Sequence, residues 1–289
     1  MSEISGSSPA HTRPAATSAA RPAPARRPRA RARRLPSRPV LALLQLAMAA
    51  ALFGAWWAAV RAGVLPEFFF GNPVLVLVLD QVAEWFATGE IVQHLVATLT
   101  ETVLAFVAGV LLGIGAGLWL GLSQLTAALL DPFIKALNAM PRVILGPIFI
   151  VWFGLGIWSK VALGITLVFF VVFFNVFQGV REVSPVILAN ARMLGATGGQ
   201  LLRTVYIPSA TSWVFSSLHT SVGMAFVGAV VGEYLGSARG VGYLILQAES
   251  TFDVNAVFAG ILVLTAFALL LDTLVSVVER RLITVQRPA

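Results

Sequence analysis

Long apolar runs with few charges dominate this 289-residue sequence. Residues 40–60 contain no charged side chain, and several later stretches approach the same composition. About 20 apolar residues of helix are needed to cross the roughly 30 Å hydrocarbon core of a bilayer. The chain is 58% hydrophobic and 11% charged, whereas soluble domains carry about 45–50% apolar and about 25% charged residues. We therefore predict an all-α integral membrane protein.

The apolar runs predict about six transmembrane helices. A helix satisfies its own backbone hydrogen bonds, which is why a segment surrounded by lipid adopts it. The predicted spans cover residues 40–60, 95–122, 143–157, 161–180, 213–232 and 254–278. The third run is the shortest, and the sequence WSK separates it from the fourth.

Basic residues are distributed unevenly between the segments that connect these spans. Nine arginines lie in the first 38 residues. If that tail is cytoplasmic, eight further basic residues fall in inner segments and three in outer ones. The inner group is Lys135, Arg142, Arg181, Arg192, Arg203, Arg280, Arg281 and Arg287, and the outer group is Arg61, Lys160 and Arg239. By the positive-inside rule, we predict that both termini are cytoplasmic.

The arginine-rich tail has too few large apolar groups to fold alone. Such a tail can bind nucleic acid, but directly before a hydrophobic span it is better explained as a cytoplasmic anchor near anionic lipid. We predict no nucleic-acid partner. The predicted organisation is a disordered tail (1–38), a first transmembrane helix (39–64), an outer-surface amphipathic segment (65–94), a five-span core (95–282) containing a cytoplasmic loop (184–208), and a second tail (283–289).

The segment between the first two spans predicts an amphipathic helix on the outer surface. Asn72 and Pro73 are suited to the cap and first turn of a helix. Apolar residues then recur at three- and four-residue spacing and share one face. These residues are Leu75, Leu79, Val82 and Phe86. A packing role is favoured over a ligand role.

A ladder of small residues runs along the second span. Its members are spaced four apart and lie close to one face of a helix: Ala105, Gly109, Gly113, Gly117 and Gly121. Glycine costs about 1 kcal/mol relative to alanine within a helix, so four in register require a compensating contact. Small residues allow another backbone to approach closely. The ladder predicts close helix packing, either static or between helices that move against each other.

Polar residues inside the spans are candidates for function, because they are costly in lipid. Asn175 and Glu233 either form hydrogen bonds between helices or line a pathway. His219 and Asp272 are better explained as interfacial residues with satisfied polar groups. Met140 and Pro141 are predicted, together with Asn175, to line the route near a cytoplasmic gate.

The chain lacks the sequence features of a self-contained catalyst. It contains no phosphate-binding loop, no zinc-protease motif and no serine nucleophile motif. With no cysteine and only three histidines, a metal or redox site is not expected. We predict no catalytic and no metal-ligating residue. Any work that the protein does must therefore draw its energy from a gradient or from another subunit.

Residues 189–208, ANARMLGATGGQLLRTVYIP, are unusually polar for a loop in so apolar a chain. Ser184 and Pro185 open a predicted helix that ends at Gly195, where a left-handed turn favours glycine. Thr197 and Gln200 form a capping-box pattern that begins a second helix, and Pro208 is predicted to separate it from the fifth span. The apolar residues that this knob would present are Ala189, Ala191, Leu194, Ala196 and Leu201. A protruding knob of this kind implies a partner protein.

This stretch resembles the cytoplasmic loop of bacterial ABC importer permeases. The pattern of that loop is Glu-Ala-Ala, three residues, Gly, nine residues, Ile, one residue, Leu-Pro. The corresponding positions here are Ala189, Asn190, Ala191, Gly195, Val205, Ile207 and Pro208, so the leading glutamate is absent. Residues 131–161, 230–245 and 258–282 are similar to permeases of the nitrate, sulfonate and taurine type. The resemblance covers about residues 65–282.

The resemblance implies a type I ABC importer permease in a bacterial inner membrane. Its implied partners are a second permease copy, a cytoplasmic ABC ATPase dimer that holds ATP and Mg, and an extracytoplasmic solute-binding protein. The chain itself would bind no cofactor, and its solute would be small and anionic. The loop would carry a coupling helix that docks on the ATPase through Ala189, Asn190, Ala191, Arg192, Leu194, Gly195, Ala196, Thr197, Gln200 and Pro208. Arg192 and Arg203 either pair with acidic groups on the ATPase or serve topology alone.

Two other classes of membrane protein are alternatives to this hypothesis. A gradient-driven secondary transporter or channel commonly contains inverted repeats with paired broken helices, and the sequence shows no convincing repeat. A membrane scaffold would explain the knob but not Asn175 and Glu233. Transport without ATP would favour the first alternative.

Overall fold

The computed structural model describes residues 38–64 and 74–285. Most of the predicted N-terminal tail, the predicted cap at Asn72 and Pro73, and the residues after 285 lie outside this part. The chain divides into two compact units between residues 56 and 57, within the first helix. The packing described below belongs to the second unit.

Every regular element in the described ranges is helical, which confirms the all-α prediction. The helices are α1 (Arg38–Arg61), α2 (Val74–Thr88), α3 (Glu90–Leu122), α4 (Gln124–Ala139), α5 (Leu145–Phe153), α6 (Ile157–Arg181), α7 (Pro185–Met193), α8 (Gly198–Leu201), α9 (Ile207–Leu235), α10 (Val241–Ser250) and α11 (Val254–Val285). A 3-10 turn (Arg142–Ile144) precedes α5, and a π-helical turn (Leu202–Tyr206) joins α8 to α9.

Five helices of the described chain are long and apolar enough to cross a membrane. They cover Pro39–Arg61, Glu90–Leu122, Ile157–Arg181, Gly198–Leu235 and Val254–Val277. A sixth span is obtained only if α4 and the segment Arg142–Phe153, which are bent by 79° at the break between them, are counted together. The predicted number of about six spans agrees with this count.

The third predicted span, residues 143–157, is wrong as a single helix. Helix α5 has nine residues and rises about 13.5 Å, which is less than half of a bilayer core. Gly154 ends it with a φ of 75°, a left-handed conformation that glycine adopts without strain. The span is therefore discontinuous and continues around the break into α4.

Two basic residues that the sequence placed in loops lie elsewhere. The WSK sequence begins α6 and does not connect two spans, and Lys160 is fully buried. Arg142 lies at the bend of the discontinuous span, with its guanidinium 4.6 Å from the ring centre of Phe170 in α6. The predicted loop positions are therefore wrong, because Lys160 lies in the first turn of α6 and Arg142 in the 3-10 turn before α5. Protein carbonyl groups accept hydrogen bonds from both cations. Without Arg142 and Lys160, seven basic residues remain in the predicted inner segments and two in the outer segments. This imbalance still favours the predicted orientation.

The glycine ladder of α3 packs against a ladder of valines on α6. An added methyl group at any of the four glycines would lie within 2.9 Å of the paired valine. The pairs are Gly109 with Val168, Gly113 with Val172, Gly117 with Val176, and Gly121 with Val180. The four-residue spacing holds on both helices, and both numbers increase together, so α3 and α6 run parallel. The predicted close packing is confirmed by this geometry.

Helix α9 completes a central group of three by packing against α6 in the opposite direction. A methyl group on Gly228 would lie 2.5 Å from the Cα of Gly164, so the two backbones are in direct contact. Towards the predicted cytoplasmic end, a methyl group added to Gly179 would lie 2.6 Å from the Cδ1 atom of Trp213. Helices α3, α6 and α9 therefore approach each other too closely for larger residues along their shared lines.

Helix α2 packs through a different face from the predicted one. Val78 and Trp85 are the buried residues, Val82 is half-buried, and Leu79 and Phe86 are exposed. The side chain of Leu75 lies outside the described residues. The run VLVLVL at residues 74–79 is apolar at every position, so spacing alone does not distinguish one face from the next. Contact with α10 and α11 selects the face that contains Trp85.

Pro208 does not separate the loop from the fifth span. Residues Gly198–Leu235 form one continuous helical segment. In an α-helix the proline ring clashes with the carbonyl four residues earlier. The π-helical turn directly before it widens the helix, and the N–H of Ile207 bonds to the carbonyl of Leu202, five residues back. This wider turn accommodates the proline without ending the helix.

Candidate functional site

The loop between α6 and α9 contains two short helices joined by a tight turn. Pro185 occupies the first turn of α7, where its fixed φ suits a helix and its missing N–H costs nothing. At the other end Gly195 has a φ of 82°. The N–H of Gly195 bonds to the carbonyl of Arg192, and the N–H of Ala196 bonds to that of Ala191. This pair of bonds is the Schellman motif, and it places the glycine where the sequence predicted it.

The second short helix begins with the predicted capping box. The backbone N–H of Gln200 bonds to the Thr197 hydroxyl at 3.4 Å, and the Gln200 side chain accepts the Thr197 backbone N–H at 2.7 Å. Two N–H groups that a helix start leaves unpaired are thereby satisfied. Both ends of the turn between α7 and α8 are thus fixed by local hydrogen bonds, which makes the loop a stiff elbow.

The tip of this elbow is apolar and exposed. Leu194 is 89% exposed and Met193 is 81% exposed, while Val186 and Ile187 in the first turn of α7 are also exposed. Leu201, which the sequence assigned to the presented surface, is buried, because α8 continues into α9. Met193 is not among the residues predicted from the sequence, although its place beside Leu194 before the glycine is a usable signal.

The remaining predicted coupling residues are mostly exposed. Ala191 and Ala196 are half-buried, and the others are exposed: Ala189, Asn190, Arg192, Gly195, Thr197, Gln200 and Pro208. Arg203 is exposed as well. No described ion pair involves either arginine. Their roles stay predictions.

Glu233, one of the predicted pathway candidates, is enclosed by protein in the single chain. It is fully buried at the end of α9, where its Oε2 accepts the backbone N–H of Gly242 at 2.8 Å. Lys160 and Glu101 are buried beside it, within range of electrostatic interaction, and the Lys160 ammonium donates to the carbonyls of Leu155 and Gly156. Oε1 of Glu233 and Oε2 of Glu101 have no hydrogen-bond partner among the described atoms. We call these three residues the charged cluster; it joins α3, α6 and α9 at their predicted outer ends.

The predicted gate residues do not form one site in this structure. The Asn175 side chain is half-buried and donates to the carbonyl of Val171 on its own helix at 2.8 Å. Met140 and Pro141 are exposed at the break of the discontinuous span. In the described chain, the break between α4 and the 3-10 turn consists of residues 140 and 141.

His219 and Asp272 pair with each other across α9 and α11. The Nε2 atom of His219 lies 2.9 Å from Oδ1 of Asp272, and both side chains are about half exposed. They line a groove of about 290 Å³ between the two helices. Within the described part of the chain, no three His, Asp or Glu side chains are arranged to hold a metal ion.

Comparison with known proteins gives the context for these features. Residues 109–284 match the family described as binding-protein-dependent transport system inner membrane component. The putative aliphatic sulfonates transport permease protein SsuC of Bacillus subtilis (strain 168) is 32% identical, over 82% of this chain and 86% of that protein. The taurine transport system permease protein TauC of Escherichia coli (strain K12) is 31% identical, over 83% and 88%.

A solved structure shows the same fold at low sequence identity. A chain from inward-facing crystals of the MetNI methionine ABC transporter superposes with a TM-score of 0.58 and 16% identity. The match covers 68% of this chain and 96% of that chain. The helical arrangement, the family match and the two permease relatives agree with one another. The chain belongs to the binding-protein-dependent transport system inner membrane components, the permeases of ABC importers.

Proposed function

We propose that this chain forms the solute pathway of an ATP-driven importer and that the elbow between α7 and α8 receives the force of a separate ATPase. The observation that carries the proposal is the tip of Met193 and Leu194, which is exposed on a loop fixed at both ends. An exposed apolar tip is favourable when it enters a groove on a partner. A stiff elbow transmits displacement with little loss to bending.

The partners follow from the same proposal. A second copy of the chain completes the pathway, an ATPase dimer with ATP and Mg docks on the elbow, and a binding protein delivers solute on the outer side. This requires both termini and the elbow to be cytoplasmic, as the basic residues favour. Because Ala189 replaces the glutamate of the family pattern, docking here depends more on apolar contacts around Leu194.

The proposed solute is a small anion of the sulfonate, taurine or nitrate type. The support is that two relatives that cover more than four-fifths of the chain are described as sulfonate and taurine permeases. Transport of labelled taurine, with a neutral flavin as the contrasting compound, tests this class. Competition by alkanesulfonates but not by the flavin is the expected result.

Leu194→Asp is the decisive variant for coupling. The side chain is 89% exposed, so the substitution removes almost no contact within the chain and the fold should remain intact. We expect at least a tenfold loss of ATP-driven uptake in proteoliposomes that contain the complete complex. Leu194→Met, which keeps the apolar tip, is the control and should retain uptake.

The same assay separates the proposal from a gradient-driven transporter. Uptake by the permease without ATPase and ATP would support the secondary transporter. Normal ATP-driven uptake by Leu194→Asp would show that the elbow is not the coupling element. Recovery of an ATPase with the wild-type protein and its loss from Leu194→Asp would support docking at this tip.

A further inference from the structure

The break in the discontinuous span lies near the middle of the membrane. Arg142, directly after the break, stacks on Phe170. Phe170 is 13 residues from the start of α6 at Ile157 and 11 residues from its end at Arg181. At 1.5 Å per residue these distances are about 20 Å and 17 Å, so Phe170 is close to the midpoint of a spanning helix. The bend therefore lies at mid-depth and not in a cytoplasmic loop.

Irregular backbone at this depth constrains what surrounds it. Backbone groups that are not in a helix are tolerated within the hydrocarbon layer only where they are covered by protein or face water. Met140 is 37% exposed and Ile144 is 64% exposed, so the break is open on one side in the single chain. That side consequently faces a second protein surface or a water-filled pathway, not lipid.

The guanidinium of Arg142 has no counter-charge in the part of the chain that the structure describes. Its Nη2 donates to the backbone oxygen of Asn138 at 3.2 Å and to the side-chain oxygen of the same residue. Its Nε is buried and has no hydrogen-bond partner among the described atoms. Among the described residues, no carboxylate is within ion-pairing distance, since the ion pairs found there join other residues. An isolated cation within a membrane span is costly and is usually retained for function.

The surroundings of Arg142 also hold it in one place. The Phe170 ring supports one face of the guanidinium, and Asn138 fixes one of its nitrogens. Arginine presents a rigid fork of donors that fits the oxygens of an oxyanion. Since Asn138 accepts only from Nη2, the donors of Nη1 have no partner in the described chain. The group is oriented before any ligand arrives, which lowers the ordering cost of binding.

We propose that Arg142 is the anion-recognising side chain of the translocation pathway, binding the oxyanion group of the solute at the broken span. The inference rests on the proposed function and deepens it by assigning the anion to one residue. Discontinuous helices at mid-membrane form the solute sites of other transporters. No described carboxylate pairs with the positive charge of Arg142, and the passing solute supplies the anion.

The first test measures the electrostatic field at the break and does not require transport. Val143→Cys places a thiol beside Arg142 in a chain without other cysteines. The purified protein in lipid nanodiscs reacts with an anionic thiol reagent, sulfonatoethyl methanethiosulfonate, and with a cationic one, trimethylammonioethyl methanethiosulfonate. We expect Arg142→Gln to lower the ratio of anionic to cationic reaction rates by about tenfold, because a nearby unit charge attracts one reagent and repels the other.

Two further variants make the result specific. Arg142→Lys keeps the charge and should keep most of the rate ratio. Lys135→Gln removes a cation from α4 whose side chain is 72% exposed and paired with Asp131, and should leave the ratio unchanged. If Val143→Cys reacts with neither reagent, or if Arg142→Gln leaves the ratio unchanged, the proposal is overturned.

The second test uses the complete complex and labelled taurine. Arg142→Gln should raise the KM for uptake at least tenfold, while the Val143→Cys single variant keeps a KM near wild type. An unchanged KM in Arg142→Gln overturns the assignment even though import itself proceeds. If the wild-type complex fails to import at all, the proposed function fails, and the rate ratio of the thiol reagents still decides the role of Arg142.

Discussion

Replacing Gly117 with alanine tests whether the glycine ladder sets the distance between α3 and α6. A methyl group at Gly117 would lie 2.7 Å from the Cβ of Val176 and 2.9 Å from its Cγ1. At Gly115, two residues earlier on the same helix, such a methyl group would have no other described segment within 4 Å. Gly115→Ala is therefore a matched control, since both changes are Gly to Ala in one helix interior.

The expected magnitude follows from these distances. Non-bonded carbons prefer separations of about 3.5–4.0 Å, so α3 and α6 would have to separate by on the order of 1 Å. Val176 branches at Cβ, and rotation of its side chain does not move that atom. Overpacking costs about 1–3 kcal/mol, whereas alanine recovers about 1 kcal/mol of helix propensity at either site. The gain in helix propensity is common to both variants. The difference between their free energies of unfolding therefore measures the cost of the contact, which we expect to be about 1–3 kcal/mol.

Unfolding in mixed micelles with increasing dodecyl sulfate, followed by the fluorescence of the seven tryptophans, measures that difference. Gly115→Ala should unfold at the same dodecyl sulfate concentration as the wild type or at a higher one. Gly117→Ala should unfold at a clearly lower concentration. Gly115→Ala also controls for any change in detergent binding by the helix. Equal midpoints for the two variants would refute the argument that the ladder is a close contact between helices.

Two further predictions use the same unfolding measurement or simple proteolysis. Lys160→Met removes the buried cation beside Glu101 and Glu233 and should lower the free energy of unfolding by about 3–5 kcal/mol. Glu101→Gln, whose amide can donate to Glu233, should cost clearly less, and equal losses would contradict the charge argument. Thr197→Ala removes the hydroxyl that accepts the Gln200 backbone N–H and should cost about 1 kcal/mol. It should also speed tryptic cleavage at Arg203; an unchanged cleavage rate would show that the cap does not stiffen the elbow.

Features with a local physical cause were predictable from the sequence. Gly195 lies where a left-handed residue is needed, and Thr197 and Gln200 contain within four residues all the groups of their capping box. The glycines of α3 were predictable for a similar reason, because their four-residue spacing defines a helix face whichever helix covers it. The sequence did not show that valines at the same spacing on α6, from Val168 to Val180, cover that face.

Features that depend on distant partners were not predictable. Lys160 looks like a loop residue until Glu101 and Glu233, from two other helices, are placed beside it. Arg142 likewise looks like an inner-loop cation, since its stacking on Phe170 depends on a bend that the apolar run conceals. The continuity of the helix through Pro208 depends on a π-helical turn, which leaves no distinct signature in the sequence.

The continuous segment Gly198–Leu235 connects the two ends of the proposed mechanism. It has 38 residues and is about 57 Å long, reaching from the elbow to Glu233 in the charged cluster. Under the proposed function, a displacement of the elbow therefore reaches the outer end through one helix, without passing through a flexible loop. Gly228 and Gly232 hold that helix against α6, so the two helices would move as a pair, with α3 following through its glycine ladder. Movement relative to this group is then easiest at the break beside Arg142, where the chain has no continuous helix and where the proposed anion would bind.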